Sequence, residues 1–73
     1  MTDDPDPVTL QRIERAVRKL PRLRREIFLA ARLDDMSYIE ISERTGLAVW
    51  EVERHMAKAL ASIDRRLNTS SRR

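Results

Sequence analysis

Trp50, Arg54 and Lys58 recur every four residues, a spacing that stacks side chains on one side of a helix, and Glu51 and His55 form a second such pair beside them. An arginine held this way can donate twice to guanine O6 and N7, a neighbouring lysine can hold phosphate, and a tryptophan can cover a thymine methyl. Glu51 would accept only from a cytosine amine and would repel phosphate. The same residues also allow plainer duties. Arg54 lies three residues from Glu51, within ion-pair reach, and His55 suits a surface or capping role. Trp50 has three open readings: contact with a thymine methyl, folding back over Ala48 as satellite core, or anchoring a protein partner. With one histidine and no cysteine, the chain offers neither a metal-ligand set nor a nucleophile beside a base. No catalysis, cofactor or metal is expected.

These residues need a helix to carry them, and the sequence supplies four. Asp6-Pro7 is a cap followed by a first-turn proline, after which Leu10, Ile13, Val17 and Leu20 recur at spacings of three and four. Pro21 ends that helix and suits the first turn of the next, where the segment 23–33 is apolar on nearly all sides from Ile27 to Ala31, predicting a central helix. Asp34 and Asp35 break the pattern. Ser37 and Glu40 then form a capping box, with a staple between Met36 and Ile41, so a third helix starts at Tyr38 with Ile41 and either Tyr38 or Ile39 facing the core. It ends at Gly46, the single glycine, where a positive φ is needed. A fourth helix, from about Val49 to Leu67, carries Val49, Val52, Met56, Ala59 or Leu60, Ile63 and Leu67 on one stripe and should pack against all the others. The expected core is Ile13, Val17, Leu23, Ile27, Phe28, Ile41, Val52, Met56, Leu60 and Ile63. The chain thus reads as a small all-α domain of four helices over residues 7–68, containing a helix-turn-helix, after a flexible acidic start at 1–6 and before a disordered basic tail at 69–73.

Charge is distributed unevenly within the net +3. Residues 1–10 carry three acids and no base (−3), residues 11–25 seven bases and one acid (+6), residues 34–53 six acids and one base (−5), and residues 54–73 six bases and one acid (+5). The flanks would attract a polyanion and the middle repel it, unless these charges simply solvate helix faces. Over residues 48–58, Glu51 and Glu53 offset Arg54 and Lys58, which predicts weak duplex binding by the isolated domain. The absence of cysteine fits a reducing, cytoplasmic setting, and no apolar run approaches the roughly 20 residues of a membrane span.

Residues 20–60 resemble region 4 of bacterial sigma factors of the extracytoplasmic-function class. The resemblance rests on Leu20-Pro21, Arg25-Glu26-Ile27-Phe28, Arg32-Leu33-Asp34 before Met36-Ser37-Tyr38, Glu40-Ile41, Glu43-Arg44, Gly46-Leu47, Val52-Glu53-Arg54-His55 and the Ala57-Lys58-Ala59-Leu60 run, all in collinear order. A response-regulator helix-turn-helix would share the Gly46 turn but would not account for Leu20 through Phe28. The resemblance implies a domain that binds the upstream promoter element of double-stranded DNA through its last helix and docks on the flap of RNA polymerase, with an anti-sigma factor as a further partner. Trp50, Glu51, Arg54, His55 and Lys58 are then the expected DNA-binding residues, with Ser37, Arg44, Arg65 and Arg66 as phosphate or accessory contacts. Four positions depart from the family pattern, which usually has glycine at Asp35, a hydroxyl residue at Ala48, a small or basic polar residue at Trp50 and threonine at Glu51. Region two, which melts promoter DNA in the family, is not within these 73 residues, so this chain alone is not expected to start transcription. The rival expectation is a free-standing sigma-like interaction module that holds polymerase flap or an anti-sigma partner and binds DNA weakly or not at all.

Overall fold

The computed structural model describes the backbone of residues 7–71 and side chains through Asn68, so the acidic start at 1–6 and the last two arginines lie outside the described residues. Four helices follow in order: α1 (Pro7–Arg18), α2 (Arg22–Arg32), α3 (Tyr38–Thr45) and α4 (Val49–Ser71), with no strand among the described residues. Each boundary has a local cause. Past Arg18 the chain tightens, with Lys19 N–H on the Ala16 carbonyl at 3.1 Å and Leu20 N–H on that of Val17 at 3.0 Å. Pro21 stands one residue outside α2, as its N-cap rather than in its first turn. With φ −54° and ψ 150° it is extended, and its carbonyl accepts the first helical bond, from Arg25 N–H at 2.8 Å.

The α2–α3 connection turns at Asp35, whose φ of +58° lies in the left-handed region. This is the position where the resemblance expects glycine. Aspartate is among the few side chains that tolerate this region. Met36 N–H then closes onto the Ala30 carbonyl at 3.1 Å. At the start of α3 the capping box is complete, with Glu40 N–H donating to Ser37 Oγ at 3.1 Å and Ser37 N–H to Glu40 Oε1 at 2.8 Å. Gly46 ends α3 at φ +80°, and the turn is held further by Thr45, whose hydroxyl donates to the Ile41 carbonyl at 2.7 Å and accepts from Leu47 N–H at 3.2 Å.

The long helix α4 packs on all three others, while α2 also meets α3. The centre is therefore α4, not α2, where Leu29, Ala30 and Ala31 are only partly buried. Val52, Met56, Ala59 and Ile63 form the buried stripe of α4; they meet Ile27 and Phe28 of α2, Ile41 of α3, and Ala16, Val17 and Leu20 in and just after α1. Two expected core residues lie outside it: Leu23 is 42% and Leu60 40% exposed, and Ile13 is partly buried. Between Ala59 and Leu60 the stripe takes the alanine, fully buried, because a small side chain lets helix axes approach closely. Tyr38 packs against the core, while Ile39 faces outward. The last helix runs one turn beyond its expected end, into the segment read as a disordered tail. No glycine or proline interrupts residues 68–71, and Asn68 Nδ2 donates to Asp64 Oδ2 at 3.2 Å across one turn.

Candidate nucleic-acid interface

The helix-turn-helix consists of α3, the Gly46 turn and the first half of α4. An added Cβ at Gly46 would meet nothing within 4 Å, so its positive φ, not crowding, is what calls for glycine. The turn leaves Ala48 and Trp50 exposed at the start of α4. Ala48 offers no side-chain oxygen to cap it, but Ala48 N–H donates to Glu51 Oε1 at 2.8 Å. This is half of a capping box, supplied by the residue three positions inside the helix. Glu51 is therefore drawn back onto the helix end, and no ion pair joins it to Arg54.

Trp50, Glu51, Arg54, His55 and Lys58 line one shallow cleft of about 220 Å³, closed on its far side by Arg24 of α2. Arg24 Nε donates to His55 Nδ1 at 3.4 Å across the two helices. Partial burial, then the Arg24 charge, holds the His55 imidazole below its ordinary pKa of 6.5; Lys58 and Arg54 push the same way, and Glu51 opposes them. His55 is thus a neutral acceptor at pH 7. Trp50 is 60% exposed, so it has not folded back as satellite core. Its ring is free to meet a ligand.

Counted in space, the cleft holds Arg24, Arg54 and Lys58 against Glu51, three cations to one carboxylate, or +2. The count along the chain came to zero because it included Glu53, which does not line the cleft, and omitted Arg24. Arg24 is the residue that sequence reasoning missed. The basic run Arg22, Arg24, Arg25 is visible in the sequence, but which member faces α4 depends on how two helices pack. The remaining expected residues stand elsewhere. Ser37 is committed to capping α3, and Arg44 sits exposed on the last turn of α3. Arg65 and Arg66 line a second cleft against α1.

A family model described as Sigma-70, region 4 matches residues 10–63, well over half of the chain. The chain belongs to the sigma-70 region 4 family. Within that family the extracytoplasmic-function class fits the domain, although the match does not specify it. No curated protein and no solved structure matches the chain. Region 4 is a non-enzymatic, DNA-binding helix-turn-helix domain that interacts with RNA polymerase in transcription initiation. Among the described residues of this region 4 domain, no cluster of metal-ligating side chains occurs and no helix is long and apolar enough to cross a membrane.

Proposed function

We propose that this region 4 domain recognises an upstream promoter element in duplex DNA through the cleft between α2 and the first half of α4. The observation that carries the reading is the convergence of Arg24, Arg54 and Lys58 on the projecting side of the helix-turn-helix, with Glu51 tied back to Ala48 N–H. Arg54 reads a base edge, Lys58 and Arg24 hold phosphates, and His55 accepts a hydrogen bond beside them. Ser37, whose hydroxyl can still donate while its oxygen caps α3, and Arg44, on the last turn of α3, are accessory phosphate contacts. A net of +2 is small, so the isolated domain binds duplex at the level typical of non-specific binding, roughly 10⁻⁴–10⁻⁶ M at physiological salt. Docking on the polymerase flap, in the cytoplasm, raises the effective concentration and makes a weak reader useful.

A second reading is favoured by one observation, the 60% exposure of Trp50. An exposed tryptophan at the rim of a mixed-charge cleft suits an anchor for the flap or an anti-sigma factor, with DNA binding secondary. The test is a titration followed by amide chemical shifts, with promoter-like duplex and then with a flap fragment, on wild type and Trp50→Ala. The DNA reading expects duplex to shift residues 50–58 together with Arg24, and Trp50→Ala to leave that binding nearly intact. Shifts at Trp50 with flap fragment alone, and none with duplex, would establish the interaction module instead.

A further inference from the structure

A second cleft, of about 450 Å³, lies where α1 crosses the C-terminal half of α4. It is lined by Arg12, Arg15 and Lys19 of α1 and its end, by Arg65 and Arg66 of α4, and by Ala16 and Leu67 at its floor, with no acidic side chain among the described residues that line it. Arg12 is already engaged, its guanidinium donating to the Leu67 carbonyl at 2.9 Å, and so pins the two helices together. Arg15, Lys19 and Arg65 are exposed. Arg15, Lys19 and Arg65, three exposed cations lining one cleft, repel one another and are relieved by an oxyanion-rich ligand.

The position of this cleft relative to the first indicates which ligand. Arg54, Lys58 and Arg65 lie at steps of four and seven residues on α4, so Arg54 and Arg65 project in nearly the same direction, about three turns and ~16 Å apart. Ala61, between Lys58 and Arg65, keeps the stripe low. The major groove is roughly 12 Å wide. A duplex that receives Arg54 in its groove therefore carries its phosphate wall beyond the groove edge, to where Arg65 and the α1 cations stand. We propose that the α1–α4 cleft is a backbone-phosphate site that grips the strand bordering the major groove read by Arg54. The inference rests on the DNA reading above. It assigns to Arg15, Lys19 and Arg65 the role of holding the duplex without selecting its sequence.

The test is the salt dependence of duplex binding, from about 50 to 200 mM, by wild type and by Arg15→Ala/Arg65→Ala, on promoter-like and random duplexes long enough to span both clefts. Each phosphate contact contributes a slope of about −0.9 in log K against log salt, so the double variant is expected to flatten the slope by about 2, equally on both duplexes. Both positions are exposed, and an unchanged melting curve would confirm that the fold is intact. One result would overturn the proposal while leaving the first cleft standing: an unchanged slope in the double variant, which, if binding of a poly-glutamate probe is lost at the same time, would give the cleft to an acidic polypeptide. A wild type that binds neither duplex at the lowest salt would sink both this inference and the DNA reading on which it rests.

Discussion

The two halves of α4 present opposite kinds of surface. The first half, with α2, offers an indole, an imidazole, a carboxylate and three cations in one small cleft; the second, with α1, is lined by five basic side chains and no acidic one among the described residues. Mixed donors, acceptors and an aromatic face can tell one base edge from another, because a wrong base leaves a polar group unpaired. Uniform positive charge cannot discriminate. It responds to phosphate wherever phosphate is, and its strength falls steeply with salt. One helix can thus separate selection from retention along its length, provided that the core beneath it keeps both halves in one frame.

That proviso is the first place to break the comparison. Phe28 is buried against the α4 stripe, with the Arg32 guanidinium carbon 6.0 Å from its ring centroid. Phe28→Ala should cost about 3–5 kcal/mol, close to the whole stability of a domain this short. Thermal melting should then become broad or disappear, and duplex binding should fail at both clefts together. A variant that still melts cooperatively near wild type would remove Phe28 from the frame. The next largest effect separates the two kinds of contact. Arg54→Ala is expected to lose about 1–3 kcal/mol of preference between promoter-like and random duplex, whereas Lys58→Ala weakens both alike. Equal losses on the two duplexes for Arg54→Ala would mean that the first half of α4 selects nothing.

The parts of this molecule that were legible in the sequence are those decided within a few residues. Ser37 and Glu40 announce a helix start, Gly46 a left-handed stop, and Val52, Met56 and Ile63 a buried stripe, because each signal involves neighbours fixed by helix geometry. Pairings between helices were not legible. Arg24 and His55 meet across 31 positions, and whether Leu60 or Ala59 faces inward depends on how closely two axes approach. Asp35 read as an interruption; that it carries a positive φ follows from closing α2 onto Met36. The tie between Glu51 and Ala48 N–H was not legible either. Without a hydroxyl at position 48 the capping-box pattern is invisible, yet its backbone half survives.

The role of Glu51 sharpens the comparison at the level of about 1 kcal/mol. Glu51→Gln keeps an oxygen that can accept from Ala48 N–H and removes the one negative charge of the first cleft. Glu51→Ala removes both. Stability should be nearly unchanged in the first and lower by about 0.5–1 kcal/mol in the second, while both tighten duplex binding relative to wild type. Parallel melts and duplex titrations decide it. Equal destabilisation by both variants would show that the carboxylate charge at the helix N-terminus, rather than the hydrogen bond, holds this end.

The smallest expected effect is a dependence on pH that belongs to one cleft only. His55 has its pKa held below 6.5 in the folded chain, chiefly by partial burial and next by Arg24, so the folded state binds that proton less readily than the unfolded state. The stabilising contribution is therefore fully present above pH 6.5. As pH falls through 6.5 the unfolded chain takes up the proton first, stability declines, and the decline ends once the folded imidazole is also protonated. His55→Gln, which can still accept from Arg24, should remove this part of the dependence, which sets in as pH falls through 6.5, leaving the carboxylate titrations that both proteins share. A phosphate docked beside Arg24 and His55 acts in the opposite direction, favouring the imidazolium. Duplex binding through the first cleft should then tighten as pH drops toward 6, while Arg15→Ala/Arg65→Ala, whose altered cleft contains no histidine, should leave that pH response intact. The His55 ring resonance in free and duplex-bound protein measures both shifts directly. A free-state pKa at or above 6.5 would show that burial and Arg24 do not depress the imidazole, and a pKa that does not rise when duplex is added would show that no phosphate comes near Arg24 and would leave base contact at Arg54 without the neighbouring phosphate contact proposed for it.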